Sequence, residues 1–345
     1  MSTRILITGG AGFLGAALAR RLFAAPVGLG GAPADELAEL LLVDLAAPPA
    51  DVGADPRVRV RTGDLTAALG DLGEVDAIFH LASVVSGAAE ADFDLGMRTN
   101  LDGTRALLEY ARASATPPVL VFSSSLAVFG RDPALSPATE HADGVQDSDN
   151  CVSTVDDDTL PRPQSSYGIQ KFIGEQLVAD YTRKGFIRGR SVRLMTVTVR
   201  PGKPNAAASS FLSGIIREPL AGERAACPVA ADTPIVLSSP RKTLDGLLRA
   251  AEVDDDTWGS RTAMNLPALT TTPREMAAAL DRIAGAGTSD LIDWTDDAAV
   301  GAIVRSWPAR IRSPRAAALG LTPEATFDDI VRAYLAGPGR VSAAR

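Results

Sequence analysis

The 345-residue sequence is poor in the side chains that most often carry metal or redox chemistry: two cysteines, Cys151 and Cys227, and two histidines, His80 and His141. Two thiols cannot build a disulfide framework, so a reducing compartment is expected. Without clustered thiols or imidazoles, no metal site is expected. No apolar run reaches the ~20 residues that cross a bilayer. The amino-terminal "RILITG" enters a strand-like run too early for a secretory signal, and the expectation is a cytoplasmic protein with no membrane contact. Positive charge is the scarcer sign: 34 Lys and Arg against 42 Asp and Glu leave a net charge of −8. Such a chain repels a polyanion, so nucleic acid is a poor partner. What is plentiful is apolar, at 46% of residues, enough to core one large domain or two modest ones.

Short aliphatic runs alternate with helical patterns over the first two hundred residues. Strands are predicted at 4–8, 40–44, 58–61, 77–81, 119–123 and 192–199, and helices at 13–24, 93–113 and 166–184. Repeated strand–helix–strand with near-continuous apolar strands means a parallel sheet covered on both faces. After Arg200 the rhythm loosens into turns and scattered helices such as 273–284 and 327–335. The expected fold is therefore α/β: a Rossmann-type doubly wound parallel sheet over 1–200, to which 236–260 returns, with a smaller, mainly helical substrate domain over 201–345. The Gly/Pro/Ala-rich 25–35 and the acidic "DGVQDSDNCVSTVDDD" of 143–158 read as solvated surface insertions.

The stretch "LITGGAGFLG", Leu6 to Gly15, concentrates glycine between a strand and an amphipathic helix. Glycine there permits a tight turn, close approach of backbone to a pyrophosphate, and tight packing of helix on strand. The phosphate then sits on the free amides of the helix start. Two spacings overlap, Gly10-x-Gly12-x-x-Gly15 and Gly9-x-x-Gly12-x-x-Gly15, and a glycine turn with no ligand is the plain alternative. Asp44 ends the second strand, where a carboxylate accepts the hydroxyls of an adenosine ribose and repels a 2′-phosphate, favouring NAD over NADP. A strand-end cap is its ordinary role.

In "SSYGIQKFIGEQL", Tyr167 and Lys171 stand four apart on one helix face. An ammonium beside a phenol favours tyrosinate, which makes Tyr167 a general base. Taken alone, such a pair is as often a surface feature. The strand end "VFSSSLAVFG" adds hydroxyls at the edge where doubly wound sheets bind ligands, and Ser125 is placed to hold the substrate oxygen that Tyr167 deprotonates.

The glycine motif, Asp44, "GDL" at 63–65, "FHLAS" at 79–83, "NLDGT" at 100–104, "SSSLAVFG" and Tyr167-x-x-x-Lys171 together resemble the extended short-chain dehydrogenase/reductase superfamily over nearly the whole chain. The resemblance implies NAD as cofactor and a catalytic set of Ser125, Tyr167 and Lys171. It places the cofactor along Gly9, Gly12, Phe13, Leu14, Gly15 and Asp44, puts Asp64 and Leu65 against adenine, and runs the phosphate and ribose path by Leu81, Ala82 and Ser83. Asn100 supports the site, and Tyr167 and Lys171 also face the cofactor. Members of this superfamily pair through two helices, so a homodimer is expected through the segments near 93–113 and 166–184.

"VLSSPRKTLDGLLRA" (236–250) stands where nucleotide-sugar enzymes of the superfamily carry a different pattern. "RPGKPNAAASSFLSGIIREPLAGE" (200–223), "SSPR" (238–241) and "SWPARI" (306–311) resemble the D-erythronate dehydrogenase family, and "SWP" also the short-chain L-threonine dehydrogenases. Both families take a small carboxylate-bearing hydroxy compound, and the expected reaction is oxidation at C2 of a four-carbon sugar acid. A buried carboxylate needs a cation. Lys203, Arg241 and Arg310 are the candidates, with Asn205, Ser83 and Ser125 as polar neighbours; each cation has a solvated surface or structural ion pair as its ordinary role. The competing readings are a nucleotide-sugar epimerase or dehydratase that keeps NAD bound, and a non-catalytic NAD sensor, which the presence of Tyr167, Lys171 and Ser125 disfavours.

Overall fold

The computed structural model describes residues 3–70, 72–130, 152–202 and 207–337. Five strands form in the expected places: β1 (Thr3–Thr8), β2 (Leu37–Asp44), β3 (Val58–Thr62), β4 (Ala77–His80) and β5 (Val119–Ser125). With strands Arg188–Leu194 and Met264–Asn265 they make a seven-stranded, wholly parallel sheet. Starting from β3, its order is β3, β2, β1, β4, β5, Arg188–Leu194, Met264–Asn265. This is a Rossmann-type doubly wound α/β fold, and the order reverses between β1 and β4, where the carboxyl ends of the strands open a crevice.

Period-two alternation decides which side chain enters which layer. Ile5 and Ile7 of β1 join one core, with helix α1 (Phe13–Ala24) and helix Pro240–Glu252; Leu6 joins the other, with Leu107, Leu120, Phe122 and Val178. Burial on both faces is why these strands read as continuous apolar runs.

A third core lies beyond the sheet, built from Leu212, Ile215 and Ile216 of helix Ser210–Leu220, Met276 and Leu280 of Pro273–Ala284, and Ile330 and Val331 of Phe327–Ala336. Thr272 and Glu275 form a capping box that starts the second of these helices. A small sheet, Leu269–Thr271, Ile235–Ser238 and Thr196–Val197, stands beside it.

Three departures from the pattern-based expectation have physical causes. The sixth sheet strand runs over Arg188–Leu194, earlier than expected, because "RGRS" disguises it: Arg190 and Arg193 are buried and ion-paired. The chain then leaves the sheet, and Thr196–Val197 pairs elsewhere. The single helix expected over 93–113 is helix Phe93–Gly96, a π-helical stretch Met97–Asp102 and helix Gly103–Arg112. The 25–35 segment is mostly exposed, as a surface insertion should be, yet it is pinned to the body: Val27 is buried and the Gly30 and Gly31 amides bond the Ala251 and Glu252 carbonyls. Most of the acidic 143–158 stretch, with His141 and Cys151, lies outside the described residues. Its end does not remain solvated: Val152–Val155 pairs with strand Pro308–Ile311, and Asp157 is buried.

Candidate active site

The crevice at the carboxyl end of the sheet holds a cavity of ≈330 Å³. One wall is the turn between β1 and α1. Gly9 sits at φ +74°, and a Cβ there would lie 2.7 Å from the Ala82 nitrogen; one on Gly15 would lie 2.2 Å from the Gly9 oxygen. Only glycine fits either place. Gly9, Gly12, Phe13, Leu14 and Gly15 line the cavity, so of the two overlapping spacings the one beginning at Gly9 faces it. Gly10 instead packs on Leu42. Gly12 caps α1 with no side-chain bond, and the first turn carries no acidic residue, so the helix-start amides are open to a pyrophosphate. The turn fits NAD by this test of shape and donors.

Asp44 stands beside that turn at the end of β2. Its Oδ2 accepts from Ala11 N at 2.9 Å and its Oδ1 from Ala46 N at 3.2 Å. Asp64 caps the short Leu65–Ala68 helix, accepting from Thr66 N at 2.9 Å, and Leu65 is buried in the core. Neither borders this cavity. Leu81 and Ser83 do, while Ala82 donates its N–H to Thr8 Oγ1 at 3.3 Å.

Asn100 is buried behind this wall, made inward-facing by the π-helical stretch. Its Oδ1 accepts from Ser83 Oγ at 2.9 Å and Val84 N at 2.8 Å, and its Nδ2 donates to Val84 O at 3.0 Å and Gln170 Oε1 at 2.7 Å. It fixes Ser83, which lines the cavity. His80 braces the same region: Thr8 Oγ1 meets Nδ1 at 2.6 Å and Thr104 Oγ1 meets Nε2 at 2.9 Å. Thr104 donates onward to Asn100 O, so Nε2 carries the proton. Burial, and to a lesser degree the Lys171 charge, bring the His80 pKa down to about 3 and keep the ring neutral.

The opposite side of the crevice carries Ser125, Tyr167 and Lys171, the residues expected to react. Ser125 ends β5 and its Oγ accepts from Ala127 N at 3.1 Å. Helix Ser166–Arg183, capped by Ser165, presents Tyr167 and Lys171 to the cavity. Lys171 is buried; Nζ donates to Ser123 O at 2.8 Å and lies 5.7 Å from the centre of the Tyr167 ring. Burial brings its pKa down to about 7, against a smaller upward pull from Glu175. Burial also raises the Tyr167 phenol, while hydrogen bonding with Ser125 and Ser83 and the charge of Arg200 oppose the rise.

The remaining wall comes from Leu194–Val197, Arg200, Ala207, Ser209 and Trp307. Arg200 was not singled out by sequence, although it opens the "RPGKPNAAAS" motif. It has no carboxylate partner among the described residues, and its Nη2 reaches only Ser209 Oγ, at 3.4 Å. Burial lowers its pKa. Among the described residues the cavity lining holds no Asp or Glu, so Arg200 meets no opposite charge within it, while Lys171 has Glu175 behind it on the same helix.

The cations proposed by pattern lie elsewhere. Arg241 is on the outward face of its helix, 59% exposed and 3.5 Å from Asp245. The two serines of its "SSPR" motif are buried, and Ser239 caps that helix by accepting from Lys242 N. Arg310 is exposed on strand Pro308–Ile311, and the "SWPARI" motif reaches the cavity through Trp307 instead. Lys203 and Asn205 lie outside the described residues. Among those residues no cluster suited to a metal ion occurs, and no helix is long and apolar enough to cross a membrane.

Known proteins resemble this chain over nearly its whole length. A D-erythronate dehydrogenase of Cupriavidus necator is 49% identical over 97% of this chain and 98% of its own length. One of Haemophilus influenzae is 38% identical over 96% and 98%. The crystal structure of a nucleoside-diphosphate-sugar epimerase from Agrobacterium tumefaciens superposes with a TM-score of 0.84 at 35% identity, covering 98% of this chain and 96% of that one. The model of the NAD dependent epimerase/dehydratase family matches residues 5–237. The chain belongs to that family, the extended short-chain dehydrogenase/reductases, and within it is an NAD-dependent dehydrogenase.

Proposed function

We propose that the protein oxidises the C2 hydroxyl of a small sugar acid, D-erythronate foremost, to the 2-oxo acid. The observation that carries this reading is Arg200, a half-buried guanidinium that among the described residues has no acidic neighbour in the cavity that holds Tyr167. A carboxylate satisfies it, and a planar guanidinium suits that partner. The near-full-length likeness to two D-erythronate dehydrogenases points the same way.

In this reading Arg200 binds the substrate carboxylate and so sets which hydroxyl reaches Tyr167. Ser125 and Ser83 hold that hydroxyl. Tyr167, as phenolate, takes its proton and passes it on to solvent, and the Lys171 ammonium favours the phenolate by its charge. Bound NAD supplies the acceptor for the hydride that leaves C2. Gly9, Gly12, Phe13, Leu14, Gly15, Leu81 and Ser83 hold that cofactor, with Tyr167 and Lys171 at its reacting end; Asp44 selects NAD over NADP. Trp307 closes the apolar side of the space. A two-fold homodimer through the faces of the helical segments near 93–113 and 166–184 belongs to the same proposal. Phe93 and Ile169, 59% and 47% exposed, support it, and light scattering at two concentrations tests it.

The experiment offers NAD with D-erythronate, L-threonine and UDP-glucose in parallel while NADH is followed by absorbance. Formation of NADH with D-erythronate is expected. Epimerisation of the UDP-sugar without net NADH, and no reaction of either acid, would replace this reading with the nucleotide-sugar one.

A further inference from the structure

Behind the reacting groups lies a buried charge cluster that takes no direct part in the proposed reaction. Glu175 stands one helical turn after Lys171 and is 2% exposed. Its carboxylate accepts from Ser124 Oγ on β5 and from Arg193 on the next strand, Nε to Oε1 and Nη2 to Oε2, both at 2.9 Å. Arg193 is itself buried, 4.8 Å from the centre of the Phe129 ring, and its Nη1 has no hydrogen-bond partner. Beyond it stand Asp157, with Oδ2 unpartnered, and Arg315.

A buried ion pair is costly to assemble, and an apolar pair of the same volume would serve packing as well. Its position shows what it does beyond packing. Lys171 is faced by the Ser123 carbonyl and the Phe122 ring on β5, by neutral His80 on β4, and by Tyr167 and Glu175 on its own helix. Glu175 is the one carboxylate in that set. Arg193 holds it rigidly and also takes up part of its charge, so the field at Lys171 depends on both residues.

We propose that Glu175, fixed by Ser124 and Arg193, is a positioning residue whose carboxylate holds the ammonium of Lys171 in place beside Tyr167. Burial drives Lys171 toward its neutral amine, and a neutral amine gives no electrostatic help to a phenolate. Glu175 opposes that loss, while Arg193 limits how strongly it does so.

The test reads Lys171 directly and needs no substrate. The sequence contains four lysines, Lys171, Lys184, Lys203 and Lys242, so protein carrying ¹³C-labelled lysine gives few side-chain resonances to titrate, and Lys171→Arg identifies the relevant one by deleting it. In the unaltered chain this resonance is expected to titrate near 7. Glu175→Gln should move the midpoint down by about one pH unit or more, the effect of losing an opposite charge at this range. Glu175→Asp, which keeps the charge, should hold it near the unaltered value. Arg193→Gln should move it the other way, because it frees the whole charge of Glu175 to act on Lys171, and it serves as the test if Glu175→Gln does not fold. Melting curves and NAD titration establish that each variant is folded. A midpoint that stays put in folded Glu175→Gln or Arg193→Gln, or that falls as far in Glu175→Asp as in Glu175→Gln, overturns the proposal. Because no turnover is read, this outcome is independent of which substrate the enzyme takes.

Discussion

The two walls of the cavity are built on different principles. The sheet wall, which takes in the Gly9–Ser83 side and the facing Ser125, Tyr167 and Lys171, consists of strand ends, helix starts and backbone turns whose polar groups, or those packed behind them, bond one another: Asp44 to Ala11, Asn100 to Ser83 and Val84, Lys171 to Ser123. The far wall, Leu194–Val197 with Arg200, Ser209 and Trp307, consists of side chains presented by a loop and by the smaller lobe, and its main charge finds no acid to bond among the described residues. The difference teaches where generality ends. In the proposed reaction the first wall serves the chemistry the family shares, whereas the second selects what is oxidised.

Changes in the two walls should therefore separate in kind. The largest effect is expected from Tyr167→Phe, which removes the base from the sheet wall: turnover should fall ~100-fold or more with NAD binding retained. Near-normal kcat would refute the assignment. Gly15→Ala drives a Cβ to 2.2 Å from the Gly9 oxygen, and overpacking of ~1–3 kcal/mol corresponds to roughly fivefold to hundredfold weaker NAD binding. Calorimetric titration with NAD reads it; an unchanged Kd would show that the turn does not hold the cofactor. Trp307→Ala, on the far wall, should raise the substrate KM about tenfold through lost apolar contact while leaving the NAD Kd alone. A shift in both would erase the distinction between the walls. Asp44→Ser should produce the smallest change, a several-fold gain in use of NADP measured as the ratio of kcat/KM for the two cofactors. An unaltered enzyme that already prefers NADP would contradict the role given to Asp44.

This division also explains what could be read in advance. The sheet wall is local in sequence: glycines three apart, a hydroxyl at a strand end, and Tyr167 and Lys171 one turn apart. Each has a backbone or helical geometry behind it, so pattern alone locates them. The far wall depends on long-range folding. Arg200, Arg241 and Arg310 are indistinguishable as residue types, and only the packed structure puts the first in the cavity and the others at the surface. Motif resemblance misled here because "SSPR" is built around a helix cap and "SWPARI" delivers its tryptophan. Arg190 and Arg193 hid a central strand for a related reason, since charge within a strand reads as loop until its buried partners, Asp255 and Glu175, are known.

The central claim is that Arg200 reads a carboxylate, and the most direct measurement compares D-erythronate with its uncharged amide in the unaltered enzyme and in Arg200→Gln. A charge-assisted contact worth ~1.5–3 kcal/mol corresponds to roughly a tenfold to hundredfold preference in kcat/KM. The unaltered enzyme should favour the acid by that factor, and Arg200→Gln should use acid and amide about equally, chiefly through lost activity on the acid. The same preference for the acid in both proteins would contradict the account.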